Sequence, residues 1–312
     1  MRRLVGTVLS GLGMFLVALA LLLRFYVSDA AVKFPVNTYT VTTLIGHDVS
    51  YFNTSKLTEL SGVTMRVTNT TEGDGAAGTS TRAVYNVFTY IYDVTNKQTF
   101  QYSTRRLAFN RKTGQLINCC GTAVSGDTHV HMSGLGVLYP LGTKQHNYQV
   151  FNAVLLKPVT ARYSGEGTID GMSTYKFVTQ IPPTKVGTQQ VPGSLIGSKA
   201  ASVSLGEYYQ GTETDWVNPR TGVPIAVTES QHIGLRDSAG TERLVVLDGT
   251  LSTTPATVRS AVNTVNKDVN LLNVATVTVP LIGGILGVIL LALGIFLVLT
   301  SRREPVEEAE EY

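Results

Sequence analysis

Charge is scarce in this chain. Asp, Glu, Lys and Arg make up 15% of its 312 residues, and the net charge of +3 is too small to argue for a nucleic-acid partner. No run of five or more Lys/Arg occurs, which excludes a basic nucleic-acid-binding segment. Cysteine is limited to the neighbours Cys119 and Cys120. Adjacent Cα atoms lie about 3.8 Å apart and ordinary bridges prefer longer spans, so the pair reads as two small buried apolar residues, with a vicinal disulfide as the alternative. A disulfide framework is excluded. Catalytic signatures are missing too: there is no G-x-S-x-G, H-E-x-x-H, P-loop or C-x-x-C. These absences point to a non-enzymatic protein without a cofactor.

What is present begins with two apolar runs. Leu4 to Leu23 is twenty residues without a charge, about 30 Å as a helix and so one hydrocarbon thickness. Arg2 and Arg3 precede it and mark the cytoplasmic side. Arg24 can snorkel at the far interface, with Phe25 and Tyr26 as anchors. Ser28-Asp29-Ala30 resembles a signal-peptide cleavage site, but the apolar run is longer than a signal core, so an uncleaved span is expected. The second run, Val274 to Thr300, is followed by Arg302 and Arg303 and a short acidic tail. Both arginine pairs mark the same side, and two spans return the chain to that side. The reading is therefore a cytoplasmic-membrane protein with both termini cytoplasmic and its middle exported. The expected layout is a first span over 1–27, an exported domain over 28–254, a stalk over 255–273, a second span over 274–300 and a tail over 301–312. Gly283 and Gly287 form a small-xxx-small pair that would let the spans pack closely. In the stalk, Thr254-Pro255 reads as N-cap and first helical residue. Val258, Val262, Val265, Val269 and Leu272 then line one helix face, and Pro280 is placed to bend the helix that follows.

Between the spans, about 250 residues can bury a sizeable core. Alternating β-branched and aromatic residues predict strands over Thr38–Ile45, Val63–Thr68, Ala83–Tyr92, Phe100–Tyr102, Val150–Leu156, Thr160–Tyr163, Ser173–Gln180, Pro224–Gln231 and Leu244–Leu251. Gly- and Asp-containing breaks separate them. Pro182–Ala201 reads as a long loop with a short helical turn. The fold class is mainly β: a large curved antiparallel sheet or partial barrel, which can enclose a cavity.

Few residues suggest chemistry. In Asp127-Thr128-His129-Val130-His131, a strand would place Asp127, His129 and His131 on one face about 7 Å apart, a metal candidate weighed against a polar strand edge. Trp216 reads as a packed aromatic at a hairpin. Glu207, Glu213 and Asp215 lie near Tyr208-Tyr209, but a polysaccharide-modifying enzyme would need paired carboxylates in a cleft, and nothing in the sequence fixes their geometry.

Three segments carry a resemblance: Tyr139-Pro140-Leu141-Gly142 with Tyr148 following, Gly171-Met172-Ser173-Thr174-Tyr175-Lys176-Phe177, and Trp216-Val217-Asn218-Pro219-Arg220-Thr221-Gly222. Over nearly its whole length the chain resembles an actinobacterial envelope family that bears the label "porin PorA family". Family members often have Trp-Asp shortly after the tyrosine matching Tyr148; this chain has Val150-Phe151-Asn152, which leaves any role of that acid without a carrier. The resemblance implies a lipid or glycolipid carrier outside the cytoplasmic membrane, of the kind implicated in lipomannan and lipoarabinomannan maturation in mycobacteria and corynebacteria. Membrane lipid or glycolipid, and envelope glycosyltransferases, are the partners it implies. A non-catalytic scaffold for envelope enzymes is the alternative. The porin label sits poorly with two apolar helices, which would stop in the inner membrane.

Overall fold

The computed structural model describes residues 2–27 and 32–301. Ser28-Asp29-Ala30, Arg302, Arg303 and the acidic tail lie outside the described residues. The chain divides into two compact units, one drawn from both ends (1–32 and 267–312) and one from 33–266.

In the first unit, helix α1 (Arg2–Leu22) packs on helix α3 (Val279–Thr300). By length and composition, α1 with the turn after it and the continuous helix containing α3 are apolar enough to cross a membrane. Their contact is made of glycines. A Cβ on Gly13 would stand 2.5 Å from the Leu291 nitrogen, one on Gly294 2.5 Å from the Ser10 nitrogen, and one on Gly6 2.9 Å from the Gly294 carbonyl. Gly6 faces Gly294 and Gly13 faces Gly287, so the helices run antiparallel, and the Arg2–Arg3 end of α1 lies beside the C-terminal end of α3. The expected Gly283–Gly287 pair is thus half right. Gly283 meets nothing within 4 Å, and the contact repeats every seven residues, Gly6/Gly13 against Gly287/Gly294. A seven-residue repeat keeps one seam facing a partner in left-handed packing, which a four-residue pair does not do. Both helical segments carry a π turn, Leu23–Val27 and Val274–Thr278, and Arg24 donates to the Thr276 carbonyl at 2.8 Å. The second π turn falls just before Pro280. Gly13→Leu is expected to force the helices apart and to lower the full chain's melting temperature in detergent by several degrees, whereas Gly283→Leu should leave it unchanged; equal effects would disprove this interface.

The second unit is an antiparallel sheet curled into a half-barrel. Its long strands are β1 (Tyr39–Asn53), β2 (Thr58–Gly73), β3 (Arg82–Asp93) and β4 (Gln98–Asn110), then two short ones, β5 (Leu116–Ile117) and β6 (Ala123–Val124). After a long segment follow β7 (Tyr148–Asn152), β8 (Lys157–Ile169), β9 (Met172–Pro192), β10 (Ser202–Val217), β11 (Pro224–Arg236) and β12 (Glu242–Thr253). The order is β5-β4-β3-β2-β1-β12-β11-β10-β9-β8-β7, with β6 on β4. β12 closing on β1 joins two meanders into one sheet.

The segment between β6 and β7 bridges the two ends of that path. Leu116 N donates to the Gly134 carbonyl, Leu135 N to the Gln149 carbonyl, and Phe151 N to the Leu135 carbonyl, each at 2.8 Å. Leu135 therefore links the β5 edge to the β7 edge, satisfying backbone groups that an open edge would leave bare. Phe151 of β7 packs with Val87 of β3 and Leu107 of β4. A second cluster, Leu44, Val49, Tyr51, Val63, Met65, Leu247 and Leu251, fills the turn of the sheet around β1 and β12.

A helix is present over the expected stalk, and the Leu272 side chain lies outside the described residues. Helix α2 (Pro255–Asn273) starts after Thr254, whose Oγ1 accepts from Thr257 N at 3.3 Å. Val262 and Val265 are buried, Val258 and Val269 half-buried, and Arg259, Asn263, Asn266, Lys267 and Asn270 exposed.

Three strand expectations need correction. Pro182–Ala201 is not a loop up to Pro192: β9 runs through it, and a 3-10 turn follows at Gly193–Ile196. The Pro182-Pro183 pair is absorbed by a bulge, since Ile181 pairs with Gly211 and Thr184 with Tyr209, placing two residues opposite one. The strand expected over Val150–Leu156 ends at Asn152, whose side chain accepts from Val154 N and Leu155 N to make the turn. And β10, sixteen residues long, stands where only its last residues read as extended.

Candidate functional site

Strand alternation puts residues i and i+2 on one face. On β10 that rule sets Tyr209, Glu213, Asp215 and the buried Val217 together on the concave face. On β11 it sets Val227, Glu229 and Gln231 there, and on β9 the buried Phe177, Thr179 and Ile181. Register then aligns them: Thr179 pairs with Glu213, Glu213 with Glu229, and Asp215 with both Phe177 and Val227. Two carboxylates directly opposite one another repel unless protons or a cation intervene. Arg105 of β4, six places along the sheet path from β10, interacts with the charges of both Glu229 and Glu213. The curl thus brings one cation from the far wall to Glu213 and Glu229 on the near one.

Asp215 is buried, while Glu213, Glu229 and Arg105 are ringed by protein yet keep accessible surface. That combination describes groups deep in a concavity. Burial raises the Glu213 carboxyl well above the usual range, and the charges of Asp215 and Glu229 add to it; Arg105 opposes. Burial also pushes Asp215 up to about 6, although hydrogen bonds from Tyr139 and Glu213 pull the other way. Glu229 is raised by burial, with Gln231 and Arg105 opposing, and Gln231 Nε2 donates to Glu229 Oε2 at 2.8 Å. Tyr139 donates its hydroxyl to Asp215 Oδ2 at 2.8 Å, and burial, then the Asp215 charge, lifts that phenol far above its ordinary range. Glu213 and Asp215 are thus neighbouring carboxyls, both raised by burial, and Asp215 accepts from Tyr139. Tyr209, raised to about 12 by burial, completes the polar floor.

The segments singled out in the sequence converge beside this floor. Tyr139, Tyr148, Phe177 and Val217 are one buried cluster, with Tyr163 and Tyr175 against it. The Tyr139 and Phe177 rings stack at 4.7 Å, and Tyr148 meets both edge-on. The Asn218–Gly222 turn is tied by Asn218 Oδ1, which accepts from Arg220 N, Thr221 N and Thr221 Oγ1, each at 3.1 Å. That turn, which contains Pro219, docks on the Tyr139–Gly142 segment: Tyr139 N donates to the Gly222 carbonyl at 2.9 Å and Gly142 N to the Arg220 carbonyl at 3.1 Å. Pro140 contributes its carbonyl to Thr143 Oγ1 at 2.7 Å. The turn thereby positions Tyr139 over Asp215. Gly171 lies in the two-residue turn joining β8 and β9, with Asp170 and Gly171 both at positive φ. Trp216 lies over Gly167, where a Cβ would stand 2.4 Å from Cζ3, and Lys176 Nζ is 5.3 Å from the ring centroid.

A family model described as Porin PorA matches residues 5–296. The chain belongs to the Porin PorA family. No curated protein matches it. With two helices able to cross a membrane, this family member is a membrane protein of the cell envelope.

Other residues named from the sequence lie elsewhere. Asp127, His129 and His131 are not on a strand: Asp127 Oδ1 accepts from His129 N at 2.8 Å and lies 3.1 Å from His129 Nδ1, in an exposed turn. His131 Nε2 lies instead 3.4 Å from Asn118 Nδ2. Among the described residues, no group of three or more His, Cys, Asp or Glu is arranged for a metal ion. Cys119 and Cys120 are joined to each other and half-buried, which corrects the expectation of two buried apolar residues. They line a shallow pocket of about 270 Å³ with Asn118, Gly121, Thr122 and Thr128–His131. Glu207 accepts from Gln189 Nε2 at 3.1 Å and is apart from the Glu213–Asp215 pair. Sequence reasoning missed Arg105, Thr179 and Glu229. For Glu229 a signal existed: a charge at an inward position of a strand whose other inward residues include Ile225, Val227 and Ile233.

Proposed function

We propose that this protein carries an envelope glycolipid, taking the polar end of the lipid into the concave interior of the half-barrel. On this reading α1 and α3 anchor it in the cytoplasmic membrane with both termini cytoplasmic, and the half-barrel stands outside. One observation carries the proposal: hydrogen-bonding groups with accessible surface lie deep in a curled sheet, flanked by aromatic rings, in a domain tied at both ends to apolar helices. Carboxylates, amides and tyrosines beside aromatic rings suit a hydroxyl-rich ligand.

The full-length protein, extracted into nanodiscs and weighed by native mass spectrometry, is expected to retain a glycolipid adduct that Asp215→Leu removes. Recovery without any adduct, but crosslinked to a glycosyltransferase, would replace carriage with scaffolding. The outer face of β1–β4, where Tyr39, Phe88 and Tyr102 are exposed, is the surface that second reading would use. For topology, a reporter inserted after Gly197, exposed beyond the 3-10 turn, is expected to be active only outside the cytoplasm; cytoplasmic activity would overturn the proposed orientation.

A further inference from the structure

At one level of the concave face, three neighbouring strands present Thr179, Glu213 and Glu229 side by side. Thr179 is 1% exposed, and its Oγ1 has no hydrogen-bond partner. Its strand neighbours are Ala161 on β8, which offers no polar side-chain atom, and Glu213 on β10. A buried hydroxyl is ordinarily paired, and one left open beside acids awaits a partner that the protein does not supply. The charges around it do not balance either. Glu213 and Asp215 come from β10, Glu229 from β11 and Arg105 from β4, with Tyr139 from the β6–β7 segment and Tyr209 and Gln231 as the neutral groups. Glu213 and Glu229 thus face one guanidinium, with the Asp215 carboxyl beside them.

We infer that the polar end of the ligand carries a primary ammonium group, held by Glu213, Glu229 and the Thr179 hydroxyl. The inference rests on the carrier reading and narrows its ligand. An ammonium has three N–H donors on one centre and no acceptor. Thr179 and Glu229 flank Glu213 on adjacent strands, about 4.8 Å from one strand to the next, so the two long glutamate side chains can bring their acceptors to one ammonium beside Thr179. A neutral sugar hydroxyl would satisfy Thr179 but bring no charge to replace the protons on the acids. Without the ligand, protons relieve the repulsion between the acids; an ammonium displaces them. Binding therefore releases protons and tightens as pH rises through the acids' titration.

The test uses the full chain in phosphatidylcholine nanodiscs, titrated by calorimetry at pH 5 and pH 7 with glucosamine, ethanolamine and glucose as probes. We expect an amine to bind at least about threefold more tightly at pH 7 than at pH 5, the linkage sign for a site that gives up protons. Glucosamine alone would identify an amino sugar, and ethanolamine alone a lipid headgroup; either supports the inference. Glucose binding as tightly as glucosamine, without pH dependence, would overturn the inference and leave carriage standing. No binding by any probe would also overturn it, while the retained adduct in native mass spectrometry judges carriage separately. Thr179→Val keeps the shape and removes the orphan hydroxyl. It is expected to weaken amine binding several-fold without lowering the melting temperature, and unchanged affinity would overturn the assignment of Thr179.

Discussion

Gly222→Val is expected to destabilise the half-barrel by about 3–5 kcal/mol, a large part of a typical domain's stability. Two costs add. Gly222 has φ +68°, a conformation that a β-branched residue adopts only under strain. A Cβ there would also stand 2.1 Å from the Tyr139 carbonyl oxygen and 2.7 Å from that of Pro140, backbone atoms that cannot rotate away. Relief would require lifting the Tyr139–Gly142 segment off the turn, which breaks the Tyr139 N to Gly222 bond and removes Tyr139 from Asp215. Gly142 supplies the control. It has φ +69° but nothing within 4 Å, so Gly142→Ala carries the conformational cost alone, about 1 kcal/mol. Urea denaturation of both variants should separate them by at least about 2 kcal/mol. Equal losses would mean that the close approach of the two segments contributes nothing.

The second large effect is a fall in stability as pH rises from about 4.5 to 8. Asp215 moves from 3.8 to about 6 on folding, so the folded state holds more protons than the unfolded one across that window. The associated stability is fully present below the unfolded value and is lost as pH climbs through 6; the rise to about 6 corresponds to about 3 kcal/mol from this group. Glu213 and Glu229 shift in the same direction. His232, held by Glu242 at 3.0 Å and Asp248 at 3.3 Å, is also raised, and so loses its contribution as pH rises above 6.5. At the acid end the sign reverses. Asp74, held low by Arg106, and Asp93 and Asp237 contribute stability above their unfolded values that is lost as pH falls below them. Scanning calorimetry should place the maximum near pH 4–5. In Glu213→Gln/Asp215→Asn, most of the decline toward pH 8 should vanish, leaving that of His232 and Glu229. A wild-type stability that rises from pH 5 to 8 would contradict the buried arrangement of these carboxyls.

Much of the architecture was legible from residue patterns. The two apolar helices, the Thr254 cap, the valine stripe of α2 and most strands follow from periodicity. The site was less so, for identifiable reasons. β10 carries Glu207, Glu213 and Asp215 at inward positions where a strand normally shows apolar residues, so alternation failed where the concavity is polar. Pro182-Pro183 reads as a strand breaker, and only a two-against-one bulge keeps it inside β9. Tyr139 and Asp215 stand 76 residues apart in sequence, and their contact exists because the Asn218–Gly222 turn docks on the Tyr139 segment. The motifs could be picked out as segments, but register alone reveals that they meet. Arg105 joins the cluster only because the sheet curls, a long-range property that local residue patterns do not encode. The adjacent cysteines misled because small buried residues and a vicinal bridge look alike in sequence.

The most direct measurement is photocrosslinking of the full chain in its native membrane, with a benzophenone amino acid replacing either Tyr209 on the concave floor or Phe88 on the outer face. Lipid carriage predicts a glycolipid-mass adduct at Tyr209 and none at Phe88. Adducts only at Phe88, or protein partners at Phe88 with an unlabelled floor, would contradict it.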